Sequence, residues 1–139
     1  MAQKTAKIAK LIEPFAGQSR DAHYLAYFHL FNQSLFYEAH DVLETLWLPQ
    51  RTGVLGDFYK GLIQLAGAFV HLQKNRLQPA AALFKLAQAN LQKYGDDSEG
   101  LNLSTVHALI KRYLDTLVSS NYNANALSTL GPPRISLNL

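Results

Sequence analysis

The sequence predicts an all-α protein: a single compact bundle of about five helices, built from two antiparallel helical hairpins, a C-terminal helix and an extended tail. Three observations predict it. Apolar residues recur at three- and four-residue spacing through five stretches, with turn residues between them. No alternating apolar–polar run of strand length occurs before the tail. The 139 residues are 48% hydrophobic and 17% charged, a globular composition with room for one core rather than two.

Each element follows from local chemistry. Residues 1–18, "MAQKTAKIAKLIEPFAGQ", read as a loosely held segment whose lysine-spaced apolar residues also admit a short amphipathic helix. The first clear helix runs from about Asp21 to Phe31, with Ser19 or Asp21 as cap and Tyr24, Leu25, Phe28, Leu30 and Phe31 as its apolar members. The turn Asn32–Ser34 leads into a second helix, Leu35 to Leu48, which stops ahead of Pro49. After the loop "PQRTGVLG", a third helix covers Asp57 to Lys74, with Asp57 in the first turn where an acid suits the helix dipole.

"KNRLQP" is the next turn, and Pro79 suits the first turn of a fourth helix reaching Tyr94. "GDDSEG" is a loop, and Ser104 is the expected cap of the fifth helix, "TVHALIKRYLDTLVSS". Gly131, Pro132 and Pro133 break residues 122–139, yet Leu127, Leu130, Ile135, Leu137 and Leu139 predict a tail lying on the bundle. The two hairpins share an Asn at the turn (Asn32, Asn75) and an Ala seven residues on (Ala39, Ala82). That faint echo of tetratricopeptide repeats lacks a periodic consensus, so a bundle is preferred to a solenoid.

Composition narrows function. No cysteine occurs, which excludes disulfides, thiolate catalysis and zinc fingers and suits a reducing compartment. The net charge of +3 comes from scattered basic residues with no run of five, so no nucleic-acid partner is expected. Neither a signal peptide nor a membrane span can be read, and the expected location is the cytoplasm.

The chemistry-bearing stretch is "FYEAHDVLETLW", Phe36 to Trp47, which ends on the chain's single tryptophan. At about 100° per residue, Ala39, Val42, Leu43 and Leu46 form one apolar arc. His40, Glu44 and Trp47 share one flank of it, while Glu38, Asp41 and Thr45 fall on the other. In the third helix, Asp57, Lys60, Gly61, Gln64, Gly67, Ala68 and His71 form a narrow strip opposite a broad apolar arc. Helical glycine costs about 1 kcal/mol against alanine, so close approach of another element is the expected compensation. The economical expectation is that the second and third helices pack together, with His40 and Glu44 facing Gln64 and His71.

These residues carry a resemblance. "FNQSLFYEAHDVLETLW" followed by "DFYKGLIQLAGAFVHLQKNRLQPAAALFKLAQANLQKY" is similar to the domain-of-unknown-function family 309, in which an E-A-H-E-x-x-E-x-x-W helix precedes a G-L-I-Q…H helix. The similarity spans Phe31 to Tyr94, close to half the chain, and rests on Glu38, Ala39, His40, Glu44, Trp47, Gly61, Leu62, Ile63, Gln64 and His71. Asp41 replaces the family's second glutamate, and Ser34 stands where a glycine is usual. The resemblance implies an all-helical bundle and brings no activity with it.

Several chemistries compete for the cluster. His40, Glu44 and His71 are candidate ligands of a divalent transition metal (iron, manganese or zinc), although neither a paired Glu-x-x-His signature nor HExxH is present. Glu38, His40 and Glu44 are candidate catalytic acid–base groups, but no nucleophile motif and no phosphate loop accompany them. Structurally, His40, Glu44, Gln64 and His71 would make a satisfied hydrogen-bond network, with the Trp47 indole N–H finding an acceptor. The aromatic run Tyr24, Tyr27, Phe28, Phe31, Phe36 and Tyr37 also suits a homo-oligomer contact or an unidentified protein partner. The favoured reading is a non-enzymatic interaction or structural module whose cluster shapes a pocket lined by Trp47, Gln64 and His71. The alternative is a metal-binding or hydrolytic site at His40, Glu44 and His71.

Overall fold

A computed structural model describes residues 2–138. Helix α1 (Ala2–Ile12) runs into a 3₁₀ turn, Glu13–Phe15. A first hairpin follows, α2 (Ala22–Asn32) and α3 (Phe36–Trp47), then a 3₁₀ turn at Leu48–Gln50. The second hairpin is α4 (Gly56–Gln73) and α5 (Leu77–Leu91). A two-residue antiparallel ribbon, β1 (Asp97–Ser98) and β2 (Leu101–Asn102), precedes α6 (Leu103–Ser119) and the short α7 (Ala126–Leu130). The all-α reading holds, with the small ribbon added. Its two loop residues, Glu99 and Gly100, both have positive φ (52° and 72°), as a tight two-residue hairpin requires.

Local signals explain most boundaries. Asp21 caps α2: its Oδ1 accepts from the His23 amide at 2.7 Å. The cap of α6 is Asn102, not Ser104. Asn102 has extended backbone and accepts from the amides of Ser104 and Thr105, whereas Ser104 is already helical. Helix α5 begins two residues before Pro79, whose missing N–H falls among the amides that a helix start leaves unpaired anyway. It ends at Leu91, before Tyr94, because the Tyr94 hydroxyl is engaged elsewhere. That hydroxyl accepts from the Phe58 amide at 3.0 Å and donates to the Val54 carbonyl at 2.8 Å, tying down the loop ahead of α4. The N-terminal segment, expected to be loosely held, forms an eleven-residue helix with Ile8 buried against the bundle.

The helices pack in chain order, α2 on α3, α3 on α4, α4 on α5 and α5 on α6, with α1 laid across α2 and α3. Helix α4 is the axis. Its Phe69 meets Phe31 of α2, Phe36 of α3, Phe84 of α5 and Tyr113 of α6 at ring-centroid distances of 5.5, 5.0, 5.2 and 4.9 Å. Three of the four are edge-on, the arrangement that ring quadrupoles favour. The buried Tyr27 hydroxyl donates to the Leu62 carbonyl at 2.6 Å, joining α2 to the same axis.

The tail lies on the bundle through Ile135, which is buried. Asn32 at the end of α2 holds it with a reciprocal pair: its Nδ2 donates to the Ile135 carbonyl and its Oδ1 accepts the Ile135 amide, both at 2.8 Å. Leu139 lies outside the described residues. Among the described residues, no helix is long and apolar enough to cross a membrane.

Candidate functional site

Helix α4 lies between α3 and α5, and its outward strip carries Lys60, Gln64, Gly67 and His71. The flanking helices divide that strip between them. Gly61 and Gln64 turn toward α5, while Gly67 and His71 point outward between the flanking helices. A Cβ on Gly61 would meet Leu91 Cγ at 2.8 Å and the Ala87 carbonyl at 3.3 Å, so the absence of a side chain there permits the α4–α5 contact. Gln64 Oε1 accepts from Asn90 Nδ2 of α5 at 2.8 Å. Gln64 is therefore spent on α5 and does not face His40, contrary to expectation.

His40 and His71 do share one cavity. With Tyr37, Gly67, Val70 and Leu83 they line a cavity of about 200 Å³ in the groove over α4. Its walls are mostly apolar. Tyr37 stands at the rim, 56% exposed, with its ring centroid 6.4 Å from that of His40. The other members of the aromatic run, Tyr24, Tyr27, Phe28, Phe31 and Phe36, are buried in the core and offer no surface patch.

Both imidazole nitrogens of His40 face carboxylates of its own helix. Nδ1 is 3.2 Å from Asp41 Oδ1 and Nε2 is 3.9 Å from Glu44 Oε2. Lys4 of α1 approaches the same two acids, at 3.8 Å from Asp41 and 3.4 Å from Glu44. The two flanks that the helical wheel separates are thus bridged by a cation forty residues away from Glu44 in sequence. No local pattern announces that contact.

The expected four-member network does not form. His71 Nδ1 is buried without a hydrogen-bond partner, and burial, with the charges of Arg76 and Lys74 behind it, lowers the His71 pKa. Trp47 Nε1 is likewise buried without an acceptor, so the expected indole hydrogen bond is missing. Glu38 is half-buried and joins neither His40 nor any cation among the described residues. Among those residues, no three His, Cys, Asp or Glu side chains gather where they could hold a metal ion. His40 and Glu44 turn toward each other and Lys4, while His71 lies across the groove, so the trio read as metal ligands does not converge.

Sequence reasoning missed Leu83 and the role of Lys4. It placed Tyr37 in the aromatic run and Gly67 in the narrow strip of the third helix without joining them to one cavity.

Comparison with known proteins fits this geometry. A family described as "Domain of unknown function (DUF309)" matches residues 24–83, from within α2 to within α5, and that span contains every residue lining the cavity. An uncharacterized protein of Aquifex aeolicus (strain VF5) is 26% identical over 129 residues, 92% of this chain. The chain spans 36% of that relative's length. No solved structure matches.

Proposed function

We propose that this chain is a non-enzymatic interaction module, acting in the cytoplasm, which receives a side chain of a partner protein in the groove between α3 and α5. The observation that carries this is the cavity of about 200 Å³ with apolar walls, two imidazoles and a half-exposed tyrosine at its mouth. Its size favours a protein anchor over a metabolite, since small-molecule sites run to about 300–1,000 Å³. A rim tyrosine is the residue type that protein interfaces favour, because it adds contact area at small entropic cost.

Catalysis is the weaker reading because His40 has carboxylates at both nitrogens but is joined to no hydroxyl nucleophile among the described residues. The test is site-specific photo-crosslinking in the native cell. A benzophenone residue at position 37 should capture a discrete partner, and the product should vanish when Gly67→Leu fills the cavity. The same label at Val118, exposed on α6, is the control. Capture that is insensitive to Gly67→Leu, or no capture at position 37, would refute the proposal. Fractionation of the same cells checks the cytoplasmic location.

A further inference from the structure

Resting on that reading of the groove, we infer that its occupant is an acidic segment: an apolar anchor side chain with Asp or Glu close beside it in the partner's sequence. The charges on the two sides of the groove carry this. On the α3 side, His40 stands beside the carboxylates of Asp41 and Glu44, which Lys4 also approaches. On the α4 side lies the α4–α5 turn, where the amides of Lys74 and Arg76 both bond the His71 carbonyl, at 3.1 and 2.9 Å. Those bonds hold the two residues next to the cavity's second histidine. Both residues are exposed, and among the described residues neither carries an ion pair. The first turn of α5 contains no acid to neutralise them.

Arg20, Lys93 and Lys111 pair with Glu99, Asp57 and Asp115, whereas Lys74 and Arg76 are the unpaired cations held beside the cavity's second histidine. Two unpaired cations on one side of an apolar cavity complement a segment that places an acid just past its anchor. Such rim charges set specificity and association rate more than total affinity.

The experiment uses the whole protein and a random dodecapeptide library displayed on phage. Expected is enrichment of peptides that pair a leucine, isoleucine or phenylalanine with a neighbouring acid. By fluorescence anisotropy, a selected peptide should lose at least about tenfold in affinity to the K74E/R76E double variant, and should tighten as salt is lowered. Its binding should also be lost in Gly67→Leu and weakened in Tyr37→Ala, each checked for helicity by circular dichroism.

Groove-dependent peptides without acidic bias, or with K74E/R76E affinity unchanged, would overturn the acidic inference and leave the interaction reading standing. No peptide whose binding depends on Gly67 or Tyr37 would remove both. Light scattering separates a further case: a concentration-dependent dimer abolished by Gly67→Leu would assign the groove to a second copy and overturn the acidic partner.

Discussion

Gly61 and Gly67 sit six residues apart in α4, and alanine at each should move stability in opposite directions. Intrinsic helix propensity favours alanine over glycine by about 1 kcal/mol at either site, so that contribution cancels in the comparison. What remains is packing. At Gly61 the new methyl lies 2.8 Å from Leu91 Cγ, 2.9 Å from its Cδ2 and 3.3 Å from the Ala87 backbone oxygen. Leu91 is completely buried and is met at a branch atom, so relief requires α5 to move. Overpacking of that kind costs about 1–3 kcal/mol, leaving Gly61→Ala destabilised by about 1 kcal/mol net. At Gly67 the nearest atom is the Leu83 Cδ1 methyl at 3.2 Å, the far end of a half-buried side chain that can rotate away. Gly67→Ala should therefore keep most of its propensity gain, about 0.5 kcal/mol. Urea unfolding followed by circular dichroism reads the difference. With a slope of about 2 kcal/mol/M the two midpoints should be separated by about 0.7 M, Gly67→Ala the higher. Equal midpoints, or Gly61→Ala the higher, would refute the close α4–α5 approach.

Three further outcomes can be checked on the same protein. Ser34 has φ of +62° in the turn between α2 and α3, a conformation that costs a side-chain-bearing residue about 1 kcal/mol, so Ser34→Gly should stabilise by about 0.5 kcal/mol in urea unfolding. Asn32→Ala removes both bonds to Ile135 and leaves its carbonyl and amide unpaired; it should cost about 1–3 kcal/mol and expose residues after Gly131 to limited proteolysis. Burial lowers the pKa of both His71 and His107, so the unfolded chain binds their protons first as pH falls. Stability from these two neutral histidines is complete above about pH 6.5 and declines as pH drops below it toward the folded-state values. Melting followed from pH 7.5 down to 5.5 should show the fall, which His71→Gln with His107→Gln should flatten; NMR titration midpoints at or above 6.5 would contradict it.

The fold was legible because its determinants are local. Apolar spacing marked α2 to α6, Asp21 marked a helix start, and glycine and proline marked the stops. Where the reading slipped, a distant contact or a backbone detail decided. Tyr94 fits helical periodicity, but its hydroxyl reaches back to the loop before α4 and holds it outside α5. Ser104 is a good cap by residue type, but Asn102 lies where the backbone is still extended. Residues 2–12 form a helix because Ile8 finds a buried seat on α2 and α3, and Lys4 finds the acids of α3. Neither receptor can be seen from the segment itself.

The site was half legible for the same reason. A seven-residue interval placed Gln64 and His71 on one strip, but a helix flanked on both sides divides such a strip between its neighbours. Gln64 lies nearer α5, where Asn90 offers a donor, and His71 is left to the groove with His40. Periodicity gives the angular position of each residue on its own helix; it does not give the angle at which two neighbouring helices close over a third. That closure leaves the two imidazoles lining a cavity rather than joining a network, with His71 Nδ1 and Trp47 Nε1 both unbonded. A buried register lock would have those donors and acceptors paired, because leaving each unpaired costs about 1–3 kcal/mol. His71 Nδ1 makes no bond to His40 across the cavity that both line, so the two imidazoles do not lock α3 to α4.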